Sequence, residues 1–199
     1  MRGAILILSL ALGASSAGAG QTPRDTALSR ELLERVRIDQ AIRDTMVQLL
    51  QAGRPFDSTF AARMAAIDSA NTTWLKAVVA RRGWPGRSEV GPEASNAAFL
   101  IVQHAVHDSA FQARALSLME RGVAKGEVRG ADVAMLADRV AVHRGQPQRY
   151  GTQARLVEGR LVLDPIADSA HVDERRAALG MPPLREYVRV LDSMYTARR

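Results

Sequence analysis

Ala97-Ala98-Phe99-Leu100-Ile101-Val102-Gln103-His104-Ala105-Val106 is the stretch on which the fold turns. At about 100° per residue, its apolar side chains point in every direction around a helix axis. A helix that is apolar all round is one enclosed by other helices. The run therefore predicts a helical domain built around this segment. It also places Gln103 and His104 in the interior, where polar groups need partners.

The flanks extend the same pattern. A first helix is predicted from about Thr26 to Ala52, stopping at Gly53 ahead of Pro55. A second starts at a cap on Asp57 or Ser58 and ends at Gly83, where Pro85 prevents continuation. GWPGRSEVG, residues 83–91, reads as a loop, and Pro92 suits the first turn of the enclosed third helix, which is expected to reach His107. Asp108 can cap a fourth helix ending among Gly122 and Gly126, and a fifth spans about Ala131 to Arg144. The pattern then changes. QRYGTQARLV (148–157) and RLVL (160–163) flank Glu158-Gly159 and read as a β-hairpin. Two more helices, from about Ser169 to Leu179 and from Pro183 onward, bring the total to about seven. The expected fold is mainly α: one helical domain over residues 20–199, with a single hairpin near residues 149–163.

Residues 1–19 read as a secretory signal peptide. Arg2 gives the positive start, Ala4 to Ala14 the short apolar stretch, and Ala17-Gly18-Ala19 the cleavage site. That apolar stretch is shorter than the roughly 20 residues that span a bilayer. The expectation is export to the periplasm or the extracellular medium, with no stable membrane insertion after cleavage. The chain has 199 residues and no cysteine, which excludes disulfides, a thiol nucleophile and thiolate metal ligands. Its 27 basic residues outnumber its 21 acidic ones, but they are scattered among the acids. No basic stripe is interleaved with aromatics, so nucleic acid is not the expected partner.

Polar residues on apolar faces supply the candidate site. Leu28, Leu32, Val36, Met46 and Leu50 form one stripe of the first helix, and Asp39 and Arg43 lie within it as an i,i+4 pair. A buried charge pair of this kind either ties helices together or lines a ligand pocket. On the second helix, Asn71 falls among Phe60, Met64, Ile67, Leu75 and Val78, with Asp68 at the edge of that face. Asp138-Arg139 and the run Gln148 to Gln153 are dense in hydrogen-bonding side chains. Strand alternation would put Arg149, Gly151 and Gln153 on one face, and Gly151 could leave room for a ligand beside the backbone.

His104-x-x-His107 invites a metal reading, yet His143, His171, Asp138 and Asp173 show no zinc-motif spacing for a third ligand. Neither a metal nor a cofactor is expected. No nucleophile elbow, phosphate loop or dinucleotide fingerprint occurs.

Several of these segments together resemble an uncharacterised bacterial family of domains of unknown function, DUF6624. The resemblance is carried by Asp39-Gln40 with Arg43, Asp68 with Asn71, Gly83-Trp84-Pro85 with Val90-Gly91, and Gln103-His104-Ala105. Asp138-Arg139, the run Gln148 to Gln153, and Asp173 with Arg175-Arg176 complete it. It implies a shared fold and brings no activity with it.

The functional expectation is an exported ligand-binding or structural module with a buried polar cluster. Its ligand set would be Asp39, Arg43, Asn71, Gln103, Arg139, Arg149 and Gln153, and its partner a small molecule or a cell-envelope component. The alternative is a cell-envelope hydrolase with His104 as general base, oriented by Asp138 or Asp39.

Overall fold

The computed structural model describes residues 23–157 and 160–195. The expected signal peptide, residues 1–19, and the hairpin turn Glu158-Gly159 lie outside the described residues. The first two helices follow their caps. Helix α1 (Thr26–Gln51) starts where the Asp25 carboxylate accepts the Leu28 N–H at 2.8 Å. Helix α2 (Ser58–Arg82) starts where Asp57 does the same for Phe60, and it ends at Gly83, whose φ of 81° favours glycine.

The segment expected to be a loop contains a one-turn helix, α3 (Arg87–Val90). Glu127 holds it from outside: its carbonyl accepts the Arg87 N–H at 3.0 Å and its carboxylate the Ser88 N–H at 2.9 Å. The enclosed helix, α4, spans Pro92–His104 and stops three residues short of the expected end. Helix α5 (Ser109–Val123) is capped by Asp108 and α6 covers Gly130–His143. Gln112 on α5 donates to the Val102 and Gln103 carbonyls at 3.0 and 3.3 Å, closing the C-terminal end of α4. His107 therefore lies beyond the helix, and Val106, expected in the apolar wall, is exposed.

Strands β1 (Ala154–Val157) and β2 (Arg160–Leu163) form the antiparallel hairpin, with Ala154 opposite Leu163 and Val157 opposite Arg160. A 3-10 turn at Ser169–His171 leads into α7 (Val172–Ala177), and α8 (Leu184–Tyr195) follows. The structure is mainly helical with one two-stranded hairpin, as the periodicities imply.

Helix α4 packs against α1, α2, α3, α5 and α6, and its residues Ala97 to Val102 are all buried. Burying side chains such as Leu32, Leu75, Phe99 and Ile101 contributes on the order of 1.5–3 kcal/mol each. Helix α8 closes one side by packing on α1, α7 and β2. No described helix is long and apolar enough to cross a membrane.

Candidate functional site

The stripe residues of α1 meet α2 and α4 in a buried charge network. His104 Nδ1 stands 3.0 and 2.9 Å from the two Asp39 oxygens, and both side chains are almost wholly enclosed. Arg43 Nε lies 2.9 Å from Nδ1 and 3.1 Å from Nε2 of the same ring. Its Nη2 reaches Asp39 at 3.3 Å and Asp68 at 2.5 Å. Gln40 donates to the Asp39 carboxylate at 2.7 Å. Asp39 can only accept when ionised, so we assign the proton to Nδ1, which leaves Nε2 as the ring nitrogen that accepts from Arg43.

Electrostatics agree with a neutral ring. Burial drives the His104 pKa down to about 4 against the pull of Asp39, and the Arg43 and Arg139 charges add to the lowering. Burial pushes Asp39 the other way, but the His104 hydrogen bond and Arg43 outweigh it and hold the carboxyl below its usual range. Asp68 is lifted to about 6 by burial, with Asp39 adding repulsion and Arg43 opposing both. Asp39, Asp68 and His104 bring three potential metal-ligand atoms within 4.8 Å of one another. The cation that meets all three in this structure is the Arg43 guanidinium.

A second network surrounds Asp138. Its carboxylate accepts the backbone N–H groups of Arg149 (2.7 Å), Tyr150 (3.0 Å) and Thr152 (2.9 Å), and the Thr152 hydroxyl at 2.9 Å. Burial raises the Asp138 pKa in spite of these bonds. Four donors converging on one carboxylate bend residues 149–152 around it, so strand geometry begins only at Ala154. The expected alternation of faces therefore fails. Gln148, Thr152 and Gln153 are all buried, while Arg149 is exposed and lies over the Tyr150 ring. Gln148 bridges the Gln153 and Asp164 carbonyls at 2.9 and 2.7 Å, and Gln153 Nε2 donates to the Thr152 hydroxyl at 2.9 Å. Gly151 has a φ of 71°, and Leu184 and Ile166 fill the space beside it that a ligand was expected to occupy.

A third group gathers at the end of α4. Arg139 Nη1 donates to the Gln103 carbonyl at 3.0 Å, beside the bonds from Gln112. Arg139 is 1% exposed, and burial lowers its pKa to about 9. Among the described residues, Arg139 Nε and Nη2, both amide atoms of Gln103 and the Gln112 carbonyl oxygen have no hydrogen-bond partner.

The sequence-derived set thus divides. Asp39, Arg43 and His104 come together as one network, and Gln103 with Arg139 forms another. Asp39, not Asp138, is the carboxylate on His104, because both Asp138 oxygens are committed to the 149–152 segment. The Asn71 amide oxygen accepts from Arg35 at 3.3 Å instead of joining the charge network, and Arg35 in turn stacks on Trp74. Gln153 serves the loop, and Arg149 points outward.

Sequence reasoning placed Asp68 only at the edge of its face, missed Gln112, and named Arg176 only through the family resemblance. Gln112 had a signal, since it lies on the α5 face that carries Phe111, Ala115 and Met119. Arg176 had none beyond that resemblance. It sits on a short helix and holds the Pro182 and Tyr150 carbonyls, both at 2.7 Å.

No curated protein and no solved structure matches the chain. A family model described as a family of unknown function, DUF6624, matches residues 26–198 and so takes in all three networks, and the chain belongs to that family.

Proposed function

We propose that this protein is an exported module, one helical domain over residues 20–199, that binds a small polar molecule inside the bundle at the C-terminal end of α4. One observation carries the reading. Five of the eight buried side-chain atoms without a partner among the described residues belong to Gln103, Gln112 and Arg139, which meet on the Gln103 carbonyl. Leaving such a group unsatisfied costs about 1–3 kcal/mol, and more for a charged one. Scattered orphans would indicate local imperfections. Concentration of donors and acceptors in one place is what a polar ligand requires.

The test is a thermal-shift screen of the mature protein against small sugars, amines, amino acids, carboxylates and phosphate. Gln103→Leu is run alongside. A compound that raises the wild-type Tm saturably and leaves Gln103→Leu unmoved supports the reading. Failure of every class refutes it. Export rests on Arg2, the apolar stretch and Ala17-Gly18-Ala19, and intact-mass measurement of secreted protein should show loss of about 19–20 residues.

A second reading, a cell-envelope hydrolase, draws on the Asp39–His104 hydrogen bond, which orients the ring as a general base requires. It needs Nε2 to face substrate, and Arg43 holds that nitrogen. Turnover of an ester, amide or glycosidic substrate that is lost in His104→Ala would favour the hydrolase over the binding module.

A further inference from the structure

We infer that the molecule bound at the end of α4 carries a carboxylate, and that Arg139 grips it through Nε and Nη2. This rests on the binding-module reading above and names its ligand class. A guanidinium presents Nε–H and Nη2–H side by side along one edge, a fork that matches the two oxygens of a carboxylate. The same protein shows that use elsewhere. Arg37 holds Glu34 through Nε and Nη2, each at 2.8 Å, and Arg129 holds Asp132 through the same two nitrogens.

On Arg139 that edge is the unpartnered one. Nη1 is spent on the Gln103 carbonyl at 3.0 Å, where the C-terminal end of α4 meets part of the positive charge. The neighbouring carboxylates are committed: Asp138 to the 149–152 segment, and Asp39 to His104, Arg43 and Gln40. Arg176 gives the contrast of a structural arginine. It is equally buried, but its Nε already donates to the Pro182 carbonyl and its Nη1 to the Tyr150 carbonyl, so Nη2 alone is unpartnered and cannot form the two-nitrogen fork. Gln103, whose backbone carbonyl Arg139 Nη1 holds, carries an unpartnered amide N–H2 and carbonyl oxygen on its own side chain. The ligand that fits has a carboxylate for Arg139 and a neutral group that can both donate and accept, such as a hydroxyl or amide, for Gln103.

The experiment is calorimetric titration of the mature wild-type chain after long incubation, because the site is enclosed. The probes are lactate, succinate and free amino acids, with their neutral amides and inorganic phosphate as comparators. The expected result is saturable binding of at least one carboxylate, weakened about 100-fold or more when the acid is replaced by its amide. Arg139→Lys keeps the charge without the fork and should weaken binding at least about 10-fold. Equal affinity for acid and amide, or for wild type and Arg139→Lys, overturns the carboxylate grip, as does tighter binding of phosphate. A sugar or amine that binds independently of Arg139 overturns this inference while sustaining the binding module. If nothing binds the wild type, both fall and ordered water is left as the occupant of the fork. The wild-type titrations decide the matter even if the lysine variant fails to fold.

Discussion

Lowering pH should leave wild-type stability nearly flat across pH 4–6 at the charge network, because His104 and Asp68 pull in opposite directions there. The His104 pKa is about 4 in the folded protein against an ordinary 6.5. Between those values the unfolded chain holds the extra proton, so this contribution is full above pH 6.5 and is lost as pH falls towards 4. A gap of about 2.5 units corresponds to about 3 kcal/mol. Asp68 runs the other way. Its folded pKa is about 6 against 3.8, so between these values the folded protein holds the extra proton and stability falls as pH rises. That gap is again worth about 3 kcal/mol. Single variants should expose each slope. Urea unfolding at half-unit steps from pH 4 to 7 gives wild type, His104→Gln and Asp68→Asn on one scale. Relative to wild type, His104→Gln should lose about 3 kcal/mol as pH rises through this range, and Asp68→Asn should gain about as much. Titrating groups outside the network cancel in the difference, whereas losing His104 also lets burial raise the Asp39 carboxyl, which adds to the fall of the His104→Gln curve with rising pH. Difference curves that are flat to within about 0.5 kcal/mol would refute the buried neutral histidine and the raised carboxyl together.

Asp39→Ala strands Arg43 and removes the acceptor from His104, and should cost about 3–5 kcal/mol in the same urea assay. A variant as stable as wild type would show that the network is not a buried one. Asp138→Ala removes the acceptor of three backbone N–H groups, so hydrogen exchange at Arg149, Tyr150 and Thr152 should accelerate far more than at α4 amides. Equal protection in both proteins would mean that the loop is held by other groups. Gly151→Ala puts a methyl 2.7 Å from Leu184 at a φ of 71°, and should cost about 1–3 kcal/mol in thermal unfolding.

The helices were legible because their causes are local. Asp25, Asp57 and Asp108 each cap a helix within three residues of themselves, and Gly83 and Pro85 stop α2 within one turn. What failed depended on distant chain. Helix α3 is four residues long, too short to signal itself, and is held by Glu127 nearly forty positions away. Helix α4 ends at His104 because Gln112, on the next helix, takes its last carbonyls. Residues 148–153 alternate like a strand on paper, but Asp138 supplies acceptors that a neighbouring strand would otherwise provide, and the chain follows the acceptors.

The candidate site divides along the same line. Asp39 and Arg43 announced themselves by lying in the Leu28–Leu50 stripe, and His104 by lying on a helix with no polar face. Their meeting with Asp68 follows from α1, α2 and α4 packing on one another. Asp138 and Arg139 could not be separated in that way. Adjacent in sequence and opposite in charge, they suggest a self-neutralising pair, yet neighbours on a helix are about 100° apart and face different surroundings. Asp138 faces the backbone N–H groups of the loop, and Arg139 faces the end of α4. The loop consumes the carboxylate that would have balanced the guanidinium. Shaping residues 149–152 and leaving Arg139 with an open fork are thus two results of one arrangement. For that reason the α4 end, and not the fully bonded His104, is where this fold leaves an anion to be supplied from outside.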